Sequence, residues 1–252
     1  MKIISGVIFV FALASCGGDS VGLSSNSLEV VDLQDEEIVS GFMYTFEGDG
    51  AVIVDTSGNG NNATADSISR VDGKVGKAIK FIGEGSVINP PRDSFPIDEI
   101  LTFSAWVKTD VIFTDRQQII GGWTGGSPAS FYPINNFGIS FVDSKLSYEV
   151  SAYPGMTSVE SNELPIGLDE WFHVVVTYNG DKVKFYFNGV LNSETSLITS
   201  FDSSFSNQIG HNYHVFSGVH VFDQFSGYLD DLSLVGKVLN DQEILDYYNL
   251  TK

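Results

Sequence analysis

Residues 171–190 read WFHVVVTYNGDKVKFYFNGV, and this stretch decides the fold class. Two runs of alternating apolar residues flank Asn179-Gly180-Asp181. Asn-Gly between such runs is the strongest short-range signal for a β-hairpin, because both residues tolerate positive φ. The residues that share the apolar face are Phe172, Val174, Val176, Tyr178, Val183, Phe185 and Phe187. A hairpin cannot bury this face alone, so the pattern predicts a larger antiparallel sheet.

The rest of the chain from Gly41 onward has the same texture of short alternating runs broken by Gly, Asn and Asp. The predicted strands are 41–47, 51–54, 78–83, 86–89, 100–108, 117–122, 136–142, 145–151, 171–178, 182–188, 190–196, 206–210 and 226–235. One helix is indicated near the C-terminus, where Asn240 and Glu243 have the spacing of a capping box. Many short strands and one terminal helix predict an all-β sandwich of two antiparallel sheets.

The charge of the chain is strongly negative, since 13 Lys and Arg stand against 32 Asp and Glu, for a net charge of −19. Nucleic acids and anionic membrane surfaces repel such a chain, so we exclude both as partners. Sparse basic residues also disfavour binding of heavily sulfated or carboxylated polymers. Two explanations of the acidity stay open: a preference for cations such as Ca²⁺, and a surface that only keeps the protein soluble.

Cys16 is the only cysteine, and its setting predicts a lipid anchor. Lys2 and an apolar run over 3–14 have the form of a signal peptide, and the run is too short to span a bilayer. Leu13-Ala14-Ser15-Cys16 resembles a bacterial lipobox, which implies cleavage before Cys16 and lipidation of its thiol. We therefore expect a signal peptide at 1–15 and a lipoprotein of the bacterial cell envelope that contacts the membrane through its lipid anchor only.

Residues 16–40 are Gly- and Ser-rich and then acidic, which is typical of a flexible linker. The predicted globular domain is 41–252. Five stretches of this domain, in order, resemble the laminin-G-like jelly roll of the concanavalin A-like lectin/glucanase superfamily. They are YTFEGDG with VDTSGNGNNAT (44–50 and 54–64), GKVGKAIKF (73–81), LTFSAWVK (101–108), the hairpin, and FSGYLDDLSLVGKVLNDQEI (225–244). The resemblance implies a jelly-roll sandwich that binds glycans or proteins and, in many members, holds a structural Ca²⁺.

The acidic residues near the first and last strands are candidate calcium ligands. Alternation over 225–235 places Asp230 among Tyr228, Leu232 and Leu234, where a carboxylate is costly unless it is paired or bound to a metal. The loop from Asp55 through Asn59 supplies a carboxylate and turn carbonyls that suit Ca²⁺. By resemblance the cation lies where the first and last strands meet, so the predicted ligands are Glu47, Asp55, Asn59 and Asp230. The alternative is an Asx-turn loop at Asp55 and backbone amide partners for Asp230. The same alternation places Asp231 on the other face, where we expect it to be solvated.

The sequence predicts no catalytic residues. The superfamily includes glycosidases and lyases, and retaining glycosidases need two carboxyl groups about 5 Å apart. The glucanase pattern Glu-x-Asp-x-Glu is absent from the sequence, as are Gln-Ile-His and Arg-x-Glu-x-Arg of the alginate-lyase type. His173 lies in a predicted strand, where we expect a satisfied core residue.

Two loops have the composition of a glycan-binding surface. The first, 123–136, contains Trp123, Tyr132, Asn135 and Asn136, and the second, 211–224, contains His211, Asn212, Tyr213 and His214. Aromatic faces stack on sugar C–H groups, while amides and imidazoles bind hydroxyls. The competing interpretation is that these aromatic residues fold back and cap the edge of the sandwich.

These observations together predict a non-catalytic envelope lipoprotein that binds a polysaccharide or other glycan through loops of a calcium-stabilised jelly roll. Two alternatives stay open. One is an adhesion or structural module that recognises protein, and the other is a divergent polysaccharide hydrolase or lyase.

Overall fold

The structure, a computed structural model, describes residues 39–82, 85–95, 100–121, 136–152, 155–199, 208–211, 213–216 and 219–252. The first sheet, sheet A, contains β1 (Gly41–Tyr44), β4 (Ile68–Asp72), β5 (Lys77–Phe81), β7 (Leu101–Lys108), β12 (Trp171–Tyr178), β13 (Lys182–Phe187), β14 (Val190–Ser196) and β18 (Gly227–Val235). Its order is β14-β13-β12-β7-β18-β5-β4, and β1 also pairs with β18. All of these pairs are antiparallel.

The second sheet, sheet B, contains β2 (Val52–Ile53), β3 (Ala63–Asp66), β6 (Val87–Asn89), β8 (Gln117–Gly121), β9 (Asn136–Val142), β10 (Lys145–Ala152), β11 (Gly155–Glu160) and β15 (Gln208–Ile209). Its order is β11-β10-β9-β8-β15-β6-β3-β2. A separate hairpin joins β16 (Tyr213–Phe216) to β17 (Val219–Phe222). One short 3₁₀ turn (Arg92–Ser94) and the helix α1 (Asp241–Thr251) complete the described elements. The predicted all-β sandwich of two antiparallel sheets with a C-terminal helix is confirmed.

The core lies between the two sheets and is rich in aromatic rings. Phe81 of β5 meets Phe225 edge to face, with ring centroids 5.5 Å apart. Phe141 of β9 in sheet B meets Phe172 of β12 in sheet A at 6.0 Å. Such pairs contribute beyond the apolar area that they bury. The two sheets are therefore held together by ring contacts that cross the core.

The hairpin at 171–190 forms as predicted. Val176 pairs with Phe185, and both are buried in the core between the sheets. Gly180 has φ +92°, which a glycine adopts without strain. The side-chain Oδ1 of Asn179 accepts hydrogen bonds from the backbone N–H groups of Asp181 and Lys182, so the turn closes on itself. Both strands lie inside sheet A.

Helix α1 lies on the outer face of sheet A, the face directed away from the core. Its capping box is present: Asn240 Oδ1 accepts from the Glu243 N–H, and the Glu243 carboxylate accepts from the Asn240 N–H. Ile244 packs against Val175 and Tyr186 of the sheet. These contacts explain why Val175 and Tyr186, which face away from the core, are nevertheless buried.

Several elements differ from the prediction. Strands β3, β4 and β11 were not predicted, and β16 with β17 occupies a segment that was predicted to be a loop. β3 has the sequence ATAD, whose Ala and Asp are poor strand formers, so pairing with β2 and β6 overrides the local preference. In the described residues, no helix is sufficiently long and apolar to cross a membrane.

Candidate functional site

Asp230 lies at the centre of a group of carboxylates on the outer face of sheet A. Its side chain is fully buried. Oδ2 accepts hydrogen bonds from the backbone N–H groups of Lys74 and Val75, at 2.8 and 2.9 Å, and Oδ1 accepts from the N–H of Asp231 at 2.8 Å. Lys74 and Val75 belong to the turn between β4 and β5. This turn therefore wraps the carboxylate of the last strand with its backbone amides.

The sequence pattern predicted that Asp230 points to the inner face of the sheet, and this prediction was wrong. A bulge between Asp230 and Ser233 adds one residue to β18 relative to β7. Leu229 lies in the core before the bulge and Leu232 after it, so the two-residue alternation breaks there. Asp230 thus shares the outer face with Tyr228 and not the inner face with Leu232.

Asp231 was predicted to be solvated, and this prediction was also wrong. It is the bulge residue, with φ +43°, and only 5% of its surface is exposed. Its Oδ2 accepts a hydrogen bond from the Tyr247 hydroxyl of α1 at 3.2 Å. The helix covers this part of the strand, which explains the burial.

Glu47 is the third carboxylate of the group. Its Oε1 accepts from the Lys77 N–H at 2.8 Å, and Gly76 of the same turn lies directly against that oxygen. The turn between β4 and β5 thus donates backbone N–H groups to two carboxylates, Glu47 and Asp230. Its glycines are explained by this close approach, because a Cβ at Gly73 would collide with Asp230 and with the backbone of Lys77.

The electrostatics of the group are unfavourable to its charged form. Burial raises the pKa of Asp230 to about 7, and the nearby charge of Asp231 adds to the shift. Burial also raises the pKa of Asp231 to about 6, with a contribution from the charge of Glu47. Like charges that face one another in a buried place favour either a proton or a cation.

Asp55 and its loop form a separate arrangement. Asp55 Oδ1 accepts from the N–H groups of Met43 and Ser57, and Oδ2 accepts from the N–H of Asn61. The amide of Asn59 donates to the carbonyls of Val39 and Gly41. These bonds match the alternative of an Asx-turn loop closed by internal hydrogen bonds.

The described residues contain no group of three or more His, Cys, Asp and Glu side chains positioned to hold a metal ion. The four predicted ligands are therefore not gathered around one point. Glu47 and Asp230 contact the same turn, while Asp55 and Asn59 bind their own loop and the first strand. Calcium binding stays a prediction.

The predicted glycan-binding residues fall mostly outside the part of the chain whose side chains are described. Trp123, Tyr132, Asn135 and Asn212 lie outside the described residues. Only the backbone is described for Asn136, which begins β9, and for Tyr213 and His214 of β16. His211 is half-buried, and its Nδ1 lies 3.4 Å from Oε1 of Gln208. The ligand-binding role of both loops stays a prediction.

His173 is buried, as predicted, on the outer face of sheet A beneath α1. Its Nε2 shares a hydrogen bond of 2.8 Å with Ser104 Oγ, and its ring packs against Trp106 and Tyr247. Its Nδ1 has no hydrogen-bond partner among the described residues, so the prediction of a satisfied histidine was wrong for this atom. Burial lowers the pKa of His173 to about 3, so the ring is neutral and has a structural role.

A polar cluster on sheet B was not found from the sequence. Glu149 of β10 is buried, with Oε1 accepting from the Ser140 hydroxyl at 2.7 Å and Oε2 paired with Arg116. The Gln118 amide donates to the carbonyls of Ile120 and Ile139. Alternation in KLSYEVSA places Glu149 away from the core, but nothing in the sequence links it to Arg116, 33 positions earlier.

The sequence of this sandwich matches a known protein family. Residues 83–245, more than half of the chain, match a laminin-G-type family described as the concanavalin A-like lectin/glucanases superfamily. The chain belongs to this superfamily. The resemblance that was inferred from five short motifs is thereby confirmed for the fold and the family. No curated protein sequence matches this member of the superfamily.

Several solved structures are similar to this superfamily member. Domain 4 of AbnA, an extracellular arabinanase from Geobacillus stearothermophilus solved in complex with arabinotriose, has 21% identity and a TM-score of 0.58. The match covers 82% of this chain and 98% of that domain. The binding domain of paraclostridial mosquitocidal protein 1 has 18% identity and a TM-score of 0.64 over 84% of this chain. This chain spans about half of that structure, 52% of its length.

A botulinum neurotoxin type C structure has 16% identity and a TM-score of 0.62, with 84% of this chain and 51% of that chain covered. Cell entry of that toxin depends on interaction with two ganglioside molecules. At these identities the likeness establishes the fold and nothing more specific.

Proposed function

We propose that this protein is a non-catalytic glycan-binding lipoprotein of the bacterial cell envelope. The observation that carries the proposal is the match to the arabinotriose-bound domain 4, which covers 98% of that domain and so relates two complete sandwiches. The ganglioside dependence of the neurotoxin supports the same class of ligand. Fold does not define a ligand, so the glycan has to be identified by binding.

The glycan site of the proposal consists of two segments that the sequence predicted to be loops, 123–136 and 211–224, the second of which contains β16 and β17. Trp123, Tyr132 and Tyr213 supply aromatic faces for stacking, and Asn135, Asn136, Asn212, His211 and His214 supply hydrogen bonds to hydroxyls. Ring stacking and hydrogen bonding require no covalent step, which is consistent with the absence of the Glu-x-Asp-x-Glu pattern from the sequence.

A glycan array tests this site with the full chain, purified in detergent. We expect binding to one class of glycan, and we expect Trp123→Ala to abolish it. Ile198→Ala is the control, because Ile198 is an exposed apolar residue that lies outside both segments. Loss of binding in the control alone would refute the assignment to the loops, and binding of protein targets without any glycan would favour an adhesion module.

Calcium is a second part of the proposal. Ca²⁺ binds carboxylate and carbonyl oxygens together with water, so Glu47 and Asp230, the two predicted ligands that contact the same turn, can supply part of its coordination shell. Support comes from the raised pKa of Asp230, because burial disfavours its charged form and a bound cation would offset that cost. When bound, the ion would stabilise the junction of the turn between β4 and β5 with β18.

Membrane attachment is the third part. The apolar run before Cys16 and the Leu-Ala-Ser-Cys sequence support cleavage and lipidation at this cysteine. Growth of the producing bacterium with radiolabelled palmitate tests this directly. We expect label in the wild-type chain and none in Cys16→Ala, with the variant released from the membrane fraction. A labelled variant would contradict the assignment.

A further inference from the structure

A row of alternating basic and aromatic side chains crosses the outer face of sheet A. Tyr228 of β18 pairs with Lys80 of β5 on one side and with Lys108 of β7 on the other, and Lys108 pairs with Trp171 of β12. Four neighbouring strands thus contribute one residue each. Since neighbouring strands lie about 4.8 Å apart, the row is roughly 14 Å long, which a short oligosaccharide can cover.

The side chains of this row are in mutual contact. Lys108 Nζ lies 4.2 Å from the ring centroid of Tyr228 and 5.3 Å from that of Trp171. Lys80 Nζ lies 5.0 Å from the Tyr228 ring, on which two ammonium groups therefore converge. The two rings meet edge to face with centroids 6.2 Å apart. Cation–π contacts of this kind hold the ammonium groups in defined positions.

The fold does not bury this row, although it buries the next one on the same face. Trp106 of β7 and His173 of β12 lie two positions from the row residues of the same strands. They are covered by Tyr248 and Tyr247 of α1, respectively. All four residues of the row are half-buried, so part of each remains accessible to solvent. Their inward neighbours, Val107, Phe172 and Leu229, already fill the core between the sheets. Packing of the sandwich therefore does not require a tryptophan and a tyrosine here.

The charge of the row contrasts with that of the chain. Two of only 13 basic residues lie here, in a chain with 32 acidic residues. Asp110 and Asp169 also act on Lys80, so the local positive charge is moderate. A short oligosaccharide with one carboxylate on each sugar fits these two ammonium groups better than a densely sulfated polymer does. The general scarcity of basic residues disfavours carboxylated polymers, but Lys80 and Lys108 converge locally on the Tyr228 ring.

We propose that the row Lys80–Tyr228–Lys108–Trp171 is a second binding surface, for a glycan that carries carboxylate groups. The accessible part of the Trp171 and Tyr228 rings stacks against sugar C–H groups, and the two ammonium groups pair with carboxylates. The surface uses none of the residues of the two loops, so it stands whether or not the loops bind a glycan.

An acidic peptide is a weaker match to this surface. Extended peptides gain much of their affinity by pairing with a free strand edge. Strands β5, β18, β7 and β12 are all interior in the order of sheet A, so their backbone groups are paired on both sides. A sugar ring needs no such edge.

The test is a titration of the full chain in detergent with oligogalacturonate, and with the same oligomer after reduction of its carboxyl groups. We expect micromolar binding of the acidic oligomer only. Replacing Lys80→Gln together with Lys108→Gln is expected to weaken binding by roughly tenfold or more, since both carboxylate partners are lost. Trp171→Ala is expected to weaken it similarly through loss of stacking.

Lys145→Gln together with Lys182→Gln is the matched control, because these lysines pair with Glu160 and Glu194 elsewhere on the surface. We expect affinity within about twofold of wild type, in line with the small contribution of exposed ion pairs. Trp123→Ala, a loop variant, is expected to retain oligogalacturonate binding. Urea unfolding of each variant verifies that it is folded.

Three results would overturn the proposal. The first is that the wild-type chain does not bind oligogalacturonate. The second is that the Lys80→Gln, Lys108→Gln variant binds it as tightly as wild type does. The third is that poly-glutamate binds as tightly as oligogalacturonate and loses affinity in the same variants. If Trp123→Ala no longer binds the array glycans but still binds oligogalacturonate, this surface and the loops are two separate sites.

Discussion

The hydroxyl of Tyr247 in α1 donates a hydrogen bond of 3.2 Å to Oδ2 of Asp231 in β18. The bond joins the helix to the bulge of the last strand, next to the carboxylates of Asp230 and Glu47. A neutral donor is what a buried carboxylate among like charges requires, since it stabilises the charge without adding to the repulsion. The helix therefore stabilises the candidate cation site from outside the sheet.

Removing this hydroxyl should destabilise the protein in a pH-dependent way. For Tyr247→Phe we expect a loss of about 1.5–3 kcal/mol in the free energy of unfolding at pH 8, where Asp231 is charged. The loss should shrink below pH 6, because the pKa of Asp231 is about 6. Urea unfolding measures both values. Tyr248→Phe is the control, since its ring stacks on Trp106 and keeps this contact without the hydroxyl. A constant loss at all pH values would contradict the role of the Asp231 charge.

The pKa of Asp230 predicts a second pH dependence. This pKa is about 7 in the folded protein, whereas the ordinary value for an aspartate in an unfolded chain is 3.8. The unfolded chain therefore releases this proton first as pH rises. The contribution of Asp230 to stability is thus present below pH 4 and is lost as pH rises through 7.

Comparison with Asp230→Asn isolates this contribution, because the opposite effect of His173 is common to both proteins. In EDTA, we expect the free energy of unfolding of the variant, relative to that of wild type, to increase by up to about 4 kcal/mol between pH 4 and pH 8. This value corresponds to a pKa difference of about three units between the folded and unfolded states. Urea unfolding at each pH provides the difference. A difference that does not change with pH would mean that Asp230 titrates normally.

Calcium should act on the same carboxylates. With EDTA-treated protein we expect the Tm to rise on addition of CaCl₂. At a Ca²⁺ concentration a hundredfold above Kd, the free energy of unfolding should increase by about 2.7 kcal/mol. Asp230→Asn should abolish the rise, while Asp55→Asn should retain it, because Asp55 is satisfied by its own loop. Asp181→Asn, in the exposed hairpin turn, is the surface control. No rise in wild type would refute calcium binding, and loss of the rise only in Asp55→Asn would move the site to that loop.

The turn between β4 and β5 should tolerate no side chain at Gly73. A Cβ there would lie 2.8 Å from the carbonyl carbon of Lys77 and would also collide with Asp230. We expect Gly73→Ala to destabilise the protein by about 1–3 kcal/mol. Gly167→Ala is the matched control, since its φ is also not positive and its Cβ meets only the flexible side chain of Glu170, at 2.6 Å. Equal stabilities of the two variants in thermal unfolding would contradict the close approach.

The sequence contained enough information for the fold because its strongest signals are local. Asn179-Gly180 fixed the central hairpin, and Asn240 with Glu243 fixed the start of the helix, as the structure confirms. Strand β3 was missed because its Ala and Asp residues pair only through contacts with β2 and β6, which are invisible in a local pattern.

The carboxylate group was less predictable than the fold. The bulge after Asp230 shifts the side chains of β18 by one position, and no glycine or proline marks it in GYLDDLSLV. Two of the three donors to Asp230 are the N–H groups of Lys74 and Val75, more than 150 positions earlier in the chain. Every residue except proline has a backbone N–H group, so the residue types do not indicate which ones donate to Asp230. Its partners therefore could not be named from the sequence.

The most direct test of a non-catalytic glycan site is a titration of the full chain with the glycan that binds most strongly on the array, followed by chromatography of the mixture. We predict saturable binding, its loss in Trp123→Ala with unchanged thermal stability, and recovery of the glycan at its original length. Unchanged binding by Trp123→Ala, or the release of shorter products by the wild-type chain, would contradict a non-catalytic site in the loops.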